Sequence, residues 1–416
     1  MSARLVRIVH LFARIAVAGC LALSGLSYTR AQETTLDARL NEQVVMVPGA
    51  NGNLLETTIF RPPGQGPFPL VVMNHGKQPG DPRLQSRDRF YYLSREFVRR
   101  GYAVIVPMRS GFARSGGDYS DYGCNMAGNG YLQAADLRAA LHYARSQPWV
   151  DGNRVIVAGQ SYGGLATLAA GAGDLPGVRG LLNFAGGLRA DDGSCQWKSA
   201  LVTAFADFGR HNRLPSLWFY GANDSYFNHE LVNRLHRAYA GAGGDARLVA
   251  YDAFKNDAHG MVGSRDGFAI WWPHAERFLK QLGMPTAEVV AIAEDPPIPR
   301  TDFAAIQDIE SVPFLRERGR EAYRAFLSKA TPRAFAVSPS GAWSWAEEGE
   351  DPVTRVLSAC QANSRQPCRL YAVDDYVVWN ESPQVPANMA STGGNAVLDE
   401  RQPVVSPDLT ASLRGR

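Results

Sequence analysis

The chain has 416 residues, which is enough for two domains, because a single hydrophobic core seldom grows beyond roughly 250 to 300 residues. Its 45% hydrophobic and 20% charged residues are ordinary for a globular protein, and 41 Gly with 25 Pro indicate many tight connections rather than disorder. The net charge of +3 is small and the basic residues form no dense block, so nucleic acid is excluded as an expected partner.

The N-terminus has the layout of an export signal. Basic residues precede an apolar stretch at residues 15–26. Thr29 and Ala31 then place a small residue at each of the two positions that signal peptidase recognises. We therefore predict a signal peptide at residues 1–31 and a periplasmic or extracellular mature protein. An alternative is a lipobox that ends at Cys20 and leaves a lipid-anchored protein. The stretch falls short of the roughly 20 apolar residues of a membrane span, so no integral span is expected after signal removal.

Four cysteines remain after the predicted signal: Cys124, Cys195, Cys360 and Cys368. An even number in an exported protein predicts disulfides, and four cysteines allow three pairings. Sequence spacing favours Cys124 with Cys195 in the larger part of the chain and Cys360 with Cys368 near its end. The alternative is four buried free thiols.

From Val44 onward, short apolar runs alternate with longer amphipathic ones. The run at residues 54–60 predicts an antiparallel edge strand. Further predicted strands lie at residues 68–73, 102–106, 155–158, 180–184, 216–220 and 247–251, and predicted helices at residues 90–100, 131–145, 164–172, 229–240 and 267–282. This alternation predicts right-handed βαβ crossovers in an α/β domain with a doubly wound, mostly parallel sheet, over residues 40–284.

The composition changes after this domain. Prolines at residues 285–300 predict a linker or a surface-hugging extension. A small C-terminal α+β domain is predicted at residues 301–380, with a helical pattern at 306–329 and strand-like runs at 334–378. The aromatic residues of this domain are interpreted as the core of a small sheet, and the alternative is a polymer-binding face. They are Trp343, Trp345, Tyr371, Tyr376 and Trp379. The tail at residues 381–416 is rich in Pro, Ser and Asn and is predicted to be poorly ordered.

The strongest motif is Gly159-Gln160-Ser161-Tyr162-Gly163, a G-x-S-x-G between a predicted buried strand and a predicted helix. The turn is crowded, so Gly159 and Gly163 allow the chain to reverse while Ser161 Oγ projects from the sheet edge. The Tyr162 amide then lies at a helix N-terminus, where it can donate to an oxyanion. The motif predicts Ser161 as a nucleophile.

A serine nucleophile needs a base, and after this motif the partners follow in the order acid, then histidine. Asp224 and His259 each lie just past a predicted strand, so we predict them as the acid and the base. An isolated loop Asp is otherwise a turn or helix-cap residue. Asp207 and Asp252 are fallback acids, but the first precedes its strand and the second falls in the strand that leads to the histidine.

The second oxyanion donor is expected in the loop after the strand at residues 68–73, which begins with Asn74-His75-Gly76-Lys77. The amide of Lys77 is the candidate donor beside Tyr162. His75 is interpreted as a structural residue that hydrogen-bonds its own loop. Arg109 lies in a Gly-rich loop after another strand and either lines the pocket or orients that loop, with the structural role favoured.

Together these residues resemble the dienelactone hydrolase-like and acyl-peptidase-like branch of the α/β-hydrolases. The resemblance covers about residues 44–282 and implies a serine hydrolase of esters or related acyl compounds, whose acyl group is carried by a small molecule or a polymer. Together with the predicted signal peptide, this predicts an exported enzyme. Dienelactone hydrolases proper use a cysteine where this chain has Ser161, so lactone hydrolysis itself is not implied.

Neither a metal nor an organic cofactor is expected, because no cluster shows ligand spacing and the elbow does not fit a phosphate-binding loop. A serine peptidase or amidase remains an alternative, and so does an exported binding protein on a hydrolase scaffold. The sequence leaves the oligomeric state open.

Overall fold

The computed structural model describes residues 36–190, 193, 195–294, 297–347 and 350–380. The predicted signal peptide, the alternative lipidation site at Cys20 and the predicted tail lie outside the described residues. Within the described part of the chain, no helix is long and apolar enough to cross a membrane.

A sheet of eight strands forms the centre of the larger part of the fold. In chain order the strands are β1 (Gln43–Pro48), β2 (Leu54–Phe60), β3 (Phe68–Asn74), β4 (Ala103–Pro107), β5 (Val150–Gln160), β6 (Val178–Phe184), β7 (Ser216–Gly221) and β8 (Ala246–Tyr251). Their order across the sheet is β1-β2-β4-β3-β5-β6-β7-β8. The last six strands run parallel, whereas β1 and β2 are antiparallel. The predicted α/β class with a mostly parallel sheet is confirmed.

The antiparallel edge lies one strand further out than predicted. β2 is antiparallel as expected, but it pairs with both β1 and β4, so β1 is the edge strand. Strand β1 shows little sequence signal, because Val47 is the only buried residue among its six. An edge strand with one face in solvent does not need the continuous apolar run of an inner strand.

Six helices cover the two faces of this sheet: α1 (Tyr91–Arg99), α2 (Met126–Arg145), α3 (Tyr162–Gly171), α4 (Trp197–His211), α5 (His229–Gly241) and α6 (Phe268–Gln281). One apolar core contains buried residues of α2, α3, α4 and α5, and the other contains those of α1 and α6. Helix α4 was not predicted, although Leu201, Phe205 and Phe208 recur at helical spacing and are all buried.

The C-terminal part, residues 297–380, has its own antiparallel sheet, which confirms a small C-terminal α+β fold. It contains α7 (Glu317–Leu327), β9 (Arg333–Val337), β10 (Trp343–Glu347), α8 (Pro352–Ala362), β11 (Arg369–Val373) and β12 (Tyr376–Val377), with strand order β10-β9-β11-β12. We call residues 297–380 the C-terminal module.

Two details of the module differ from the expectation. The predicted helix at residues 306–329 is helical only at α7, and α8 interrupts the predicted strand region. Asp351 caps α8 by accepting from the Thr354 amide, and Pro352 occupies the first turn. This Asp-Pro pair is a helix-start signal that the sequence analysis did not use.

The predicted aromatic set packs against the two cores of the module. Tyr371 and Trp379 are buried, and Trp343 and Trp345 are half-buried against the same cluster. Tyr376 packs against the cluster on the other face of the sheet. These contacts favour the interpretation of the aromatic residues as a core.

The structure joins Cys124 to Cys195 and Cys360 to Cys368, the pairing favoured by spacing. The first pair connects the residues just before α2 and α4, and the second connects α8 to the start of β11. Each disulfide therefore stays within one of the two sheet-centred parts of the fold.

Residues 285–294 lie against the helical layer of the eight-stranded sheet rather than projecting into solvent. The amides of Val289 and Val290 donate to the Arg99 carbonyl at 2.8 and 2.9 Å, and Ile292 is buried in the core of α1 and α6. The segment is thus held along the end of α1 before the module begins.

Candidate active site

Ser161 lies at a strained turn between β5 and α3. Its backbone has φ +56° and ψ −124°, a conformation that residues with a side chain rarely adopt. The surrounding backbone holds this conformation: the Ser161 amide donates to the Phe184 carbonyl at 3.0 Å, and the Ser161 carbonyl accepts from the Gly164 and Gly187 amides. The strain is thus maintained by the sheet edge and the helix start together.

The glycines on either side of Ser161 are required by close backbone contacts. A Cβ at Gly159 would lie 2.2 Å from the Gly163 carbonyl oxygen, and a Cβ at Gly163 would lie 2.2 Å from the Asn74 carbonyl oxygen. Real Cβ atoms do not approach so closely, and the opposing atoms are backbone. The helix start therefore packs directly on the loop that follows β3.

The loop after β3 reaches the nucleophile position. A Cβ at Gly76 would lie 3.1 Å from Ser161 Cβ and 2.6 Å from Gln160 Oε1, so the Gly76 backbone passes beside Ser161. Lys77 follows directly, and Tyr162 occupies the first position of α3, where a helix provides no acceptor. Within the described ranges, neither the Lys77 nor the Tyr162 amide donates to a protein acceptor.

His75 and Arg109 support this loop from beneath. The Arg109 amide donates to His75 Nε2 at 3.0 Å, so Nδ1 carries the proton and donates to the Gly76 carbonyl at 2.6 Å. Burial and the nearby Arg109 guanidinium hold the pKa of His75 well below its ordinary value. The ring is therefore neutral and serves as a fixed bridge between two loops.

The Arg109 side chain is fully buried and lies between the same loops. Its Nη1 donates to the His75 carbonyl at 2.6 Å and its Nε donates to Gln133 Oε1 at 2.7 Å. The guanidinium also lies over the rings of Phe112 and Tyr162. These contacts match a structural role, the interpretation favoured from the sequence.

Asp224 and His259 lie together at the carboxyl ends of β7 and β8. His259 Nδ1 is 3.1 and 3.2 Å from the two carboxylate oxygens of Asp224. Asp224 is buried, and its Oδ1 accepts from the Tyr226 and Phe227 amides at 2.9 and 3.0 Å. These bonds hold the carboxylate aimed at Nδ1, so Nε2 is the ring nitrogen that can face a substrate or a nucleophile.

Side chains that the sequence analysis did not identify hold the two loops together. Asn223 donates to the Phe254 and Lys255 carbonyls and accepts from the Phe254 amide at 2.9 Å. Asp257 accepts from the His259 amide at 2.9 Å and from the Ser225 hydroxyl at 2.6 Å. Both residues are within two positions of the predicted acid or base, which was the available signal.

Gln160 connects the elbow to the histidine loop. Its Nε2 donates to the His259 carbonyl at 3.0 Å, while its Oε1 lies against Gly76. In the described part of the chain, the His259 ring is hydrogen-bonded to Asp224 and not to Ser161 Oγ, so the Ser161–His259 bond remains a prediction. Catalytic hydrogen bonds are often long without substrate and shorten only when it binds.

Aromatic rings flank the histidine. The Tyr226 and Phe227 rings have centroids 4.4 and 5.7 Å from that of His259. The fallback acids lie elsewhere: Asp207 is on α4 and accepts from the Tyr131 hydroxyl, and Asp252 is exposed after β8. Among the described residues, no group of three or more His, Cys, Asp or Glu has the arrangement of a metal site.

A mostly parallel sheet with a strained serine between β5 and α3 defines the α/β-hydrolase class. The model of the X-Pro dipeptidyl-peptidase (S15) family matches residues 51–240. The chain is 29% identical to cocaine esterase of Rhodococcus sp. over 33% of its length and 22% of the esterase. It is 34% identical to the quorum-quenching protein AidA of Acinetobacter baumannii over 28% of its length and 35% of AidA.

These alignments span about a fifth to a third of the curated relatives. Among solved structures, the esterase Pf2001 of Pyrococcus furiosus aligns over 60% of this chain and 96% of that one, with a TM-score of 0.45 and 16% identity. The fold is that of the α/β-hydrolase class, and residues 51–240 are similar to the X-Pro dipeptidyl-peptidase (S15) family.

Proposed function

We propose that the protein hydrolyses carboxylic esters or related acyl compounds through an acyl-enzyme on Ser161. The observation that carries the proposal is the strained Ser161 beside a loop on which His259 is hydrogen-bonded to the buried Asp224. In a serine hydrolase triad, the acid accepts a hydrogen bond from the histidine, and the histidine is the base for the serine.

In the proposed reaction, Ser161 Oγ attacks the carbonyl carbon while His259 Nε2 takes its proton. Asp224 keeps the proton of the imidazole on Nδ1 and stabilises the imidazolium that forms. The amides of Tyr162 and Lys77 donate to the oxyanion. The C–O bond to the leaving group then breaks, and its alkoxide oxygen takes the imidazolium proton, which leaves the acyl group on Ser161. Water, deprotonated by the same base, attacks the acyl-enzyme, and collapse of that intermediate releases the acid and restores Ser161.

The similarity to cocaine esterase supports an ester as the substrate. The match to the X-Pro dipeptidyl-peptidase family supports a second candidate, hydrolysis of a peptide or amide bond at the same serine. The two disulfides support an exported protein. The two separate sheets support a catalytic domain at residues 40–284 and a small C-terminal domain at residues 301–380, joined by residues 285–300. Fractionation of the producing cells, with mass determination of the mature N-terminus, tests cleavage after residue 31 against lipidation at Cys20.

Fluorophosphonate labelling with mass mapping tests the nucleophile. We expect one adduct on Ser161, no adduct in Ser161→Ala, and an unchanged adduct in the control Ser146→Ala, whose serine lies at the exposed end of α2. Nitrophenyl esters from acetyl to octanoyl, compared with an X-Pro nitroanilide, separate esterase from peptidase. Full turnover by Ser161→Ala would refute the proposed mechanism.

A further inference from the structure

The loop that leads to His259 has an unusual backbone at Lys255. Lys255 has φ +46°, in the left-handed region that residues other than glycine seldom occupy. Asn223, the neighbour of Asp224, donates to the Lys255 carbonyl at 3.0 Å. The backbone of Lys255 is therefore held from the side of the predicted acid.

The Lys255 side chain is held from the opposite side, by three oxygens. Its Nζ is 3.0 Å from Ser264 Oγ, 2.8 Å from Asp266 Oδ2 and 2.5 Å from the Thr331 carbonyl oxygen. The side chain is only 13% exposed. An ammonium group has three protons, so these acceptors use its full capacity, and one of them belongs to the C-terminal module.

Glu347, at the end of β10, fixes the turn that presents the Thr331 carbonyl. Its Oε2 accepts from the Ala330 amide at 3.1 Å, and its Oε1 pairs with Lys329 Nζ at 3.0 Å. The same Oε2 accepts from Asn256 Nδ2 at 3.2 Å. One mostly buried carboxylate thus orders residues 329–331 and contacts the loop next to Lys255.

These contacts lie at residues 255 and 256, three to four positions before His259. Other bonds to this loop come from Asn223 and Asp257, which fix it to the loop of Asp224, and from Gln160, which donates to the His259 carbonyl. A module that served only as a separate binding unit would not need to bond the loop of the base.

We propose that the C-terminal module positions the His259 loop through Lys255 and Glu347, so that it forms part of the catalytic unit. The inference rests on the proposed function, because it concerns the same base. Lys255 and Glu347 are positioning residues: neither touches the reacting atoms, and both act through the path of the loop.

The test compares Lys255→Met, Glu347→Gln and Lys255→Arg in the full chain. Met keeps the length of the side chain without its donors, so we expect kcat to fall about 10- to 100-fold with KM changed less than about threefold, since a small misplacement of a catalytic group costs this much. Glu347→Gln should lower kcat in the same direction, and Lys255→Arg should recover part of the loss.

Glu310→Gln is the matched control. Glu310 also pairs with a basic residue of the module, Arg320, but it is 67% exposed and distant in sequence from the loop contacts. We expect its kcat to equal that of the parent. Thermal unfolding of each variant, with assays well below the lowest midpoint, separates lost turnover from lost fold.

Hydrogen exchange of residues 252–259 tests the inference independently of turnover. We expect faster exchange there in Lys255→Met and Glu347→Gln but not in Glu310→Gln. Unchanged kcat and unchanged exchange in folded variants would overturn the inference. Absence of a Ser161 adduct and of turnover in the parent would instead refute the proposed function, and the exchange experiment would still decide whether the module holds the loop.

Discussion

The nucleophile elbow and the acid–base loops achieve their geometry in different ways. The elbow is built from contiguous residues, 159–163, whose glycines and strained serine form a single strand-to-helix turn. The acid–base half depends on bonds between residues about 30 positions apart, such as Asn223 with Phe254 and Ser225 with Asp257. The elbow is thus a local feature of the sequence, whereas the other half is a product of tertiary structure.

This difference predicts how each half responds to mutation. A change in the elbow meets backbone atoms that cannot move, so it should disturb folding as well as turnover. A change in the loops removes a polar bond between loop residues and introduces no clash with backbone atoms, so it should leave the fold intact and alter the position of His259. The following predictions separate these two behaviours.

The largest expected effect is that of Asp224→Asn on kcat. The amide keeps the shape of the carboxylate but can donate to Nδ1, which stabilises the wrong tautomer of His259, and we expect a loss on the order of 10⁴-fold. The control is Asp207→Asn, which alters the fallback acid on α4 and should retain activity. If kcat fell in Asp207→Asn while Asp224→Asn kept full activity, Asp207 and not Asp224 would be the acid of the triad.

The contrast also explains what the sequence could predict. The elbow residues Gly159, Ser161 and Gly163 were identified because each lies at a fixed offset in one motif. Asp224 and His259 were located from chain order and from their place after predicted strands. The first inference uses a short motif and the second uses the order of residues along the chain. Neither requires the conformation of a loop to be known.

The residues that fix the loops could not be predicted in the same way. Whether Asp257 bonds Ser225 depends on the conformation of both loops. The left-handed backbone at residue 255 could not be predicted either, because the residue there is a lysine and not the glycine that usually indicates this conformation. The bond from Lys255 to Thr331 joins positions 76 apart in the chain. No periodicity or spacing rule encodes such a contact.

The next effect is expected on stability, from Gly163→Ala. The added Cβ would lie 2.2 Å from the Asn74 carbonyl oxygen, so we expect unfolding free energy to fall by about 3 kcal/mol or more, because overpacking against backbone cannot relax easily. Gly260→Ala is the control in the other half, since its Cβ would meet no atom within 4 Å. Chemical denaturation measures both, and equal stability of the two variants would contradict the rigid elbow.

A smaller effect on kcat is expected from Asp257→Ala. The substitution removes the acceptor of the His259 amide and of the Ser225 hydroxyl, so the two loops lose one connection while the Asp224–His259 pair remains. We expect kcat to fall about tenfold with the thermal midpoint nearly unchanged. Asp252→Ala, at an exposed position of the same loop, should have no effect, and an equal loss in both variants would show that Asp257 has no specific role.

The smallest effect concerns the pH dependence of stability at Glu350, which lies just before α8 and accepts from the Tyr91 amide at 2.5 Å. Burial and the neighbouring Asp88 carboxylate raise the pKa of Glu350 to about 8, against the lowering effect of Arg89. The pKa of Asp88 is itself raised to about 6, mainly by burial. Above about pH 6, Asp88 has therefore largely lost its proton, and Glu350 is the carboxyl group of this pair that titrates.

Since the folded chain retains a proton that the unfolded chain releases near pH 4.5, the contribution of Glu350 is fully present below that pH and is lost as the pH rises through about 8. We expect the unfolding free energy to fall by on the order of 1 kcal/mol between about pH 6 and pH 9, because partial exposure weakens the effect of burial. Glu350→Gln keeps an acceptor for the Tyr91 amide without the charge, so its stability should stay flat over this range, whereas Glu310→Gln should follow the parent. Denaturant unfolding at several pH values measures the slopes, and parallel slopes for the parent and Glu350→Gln would show that the contact with α1 does not depend on this proton.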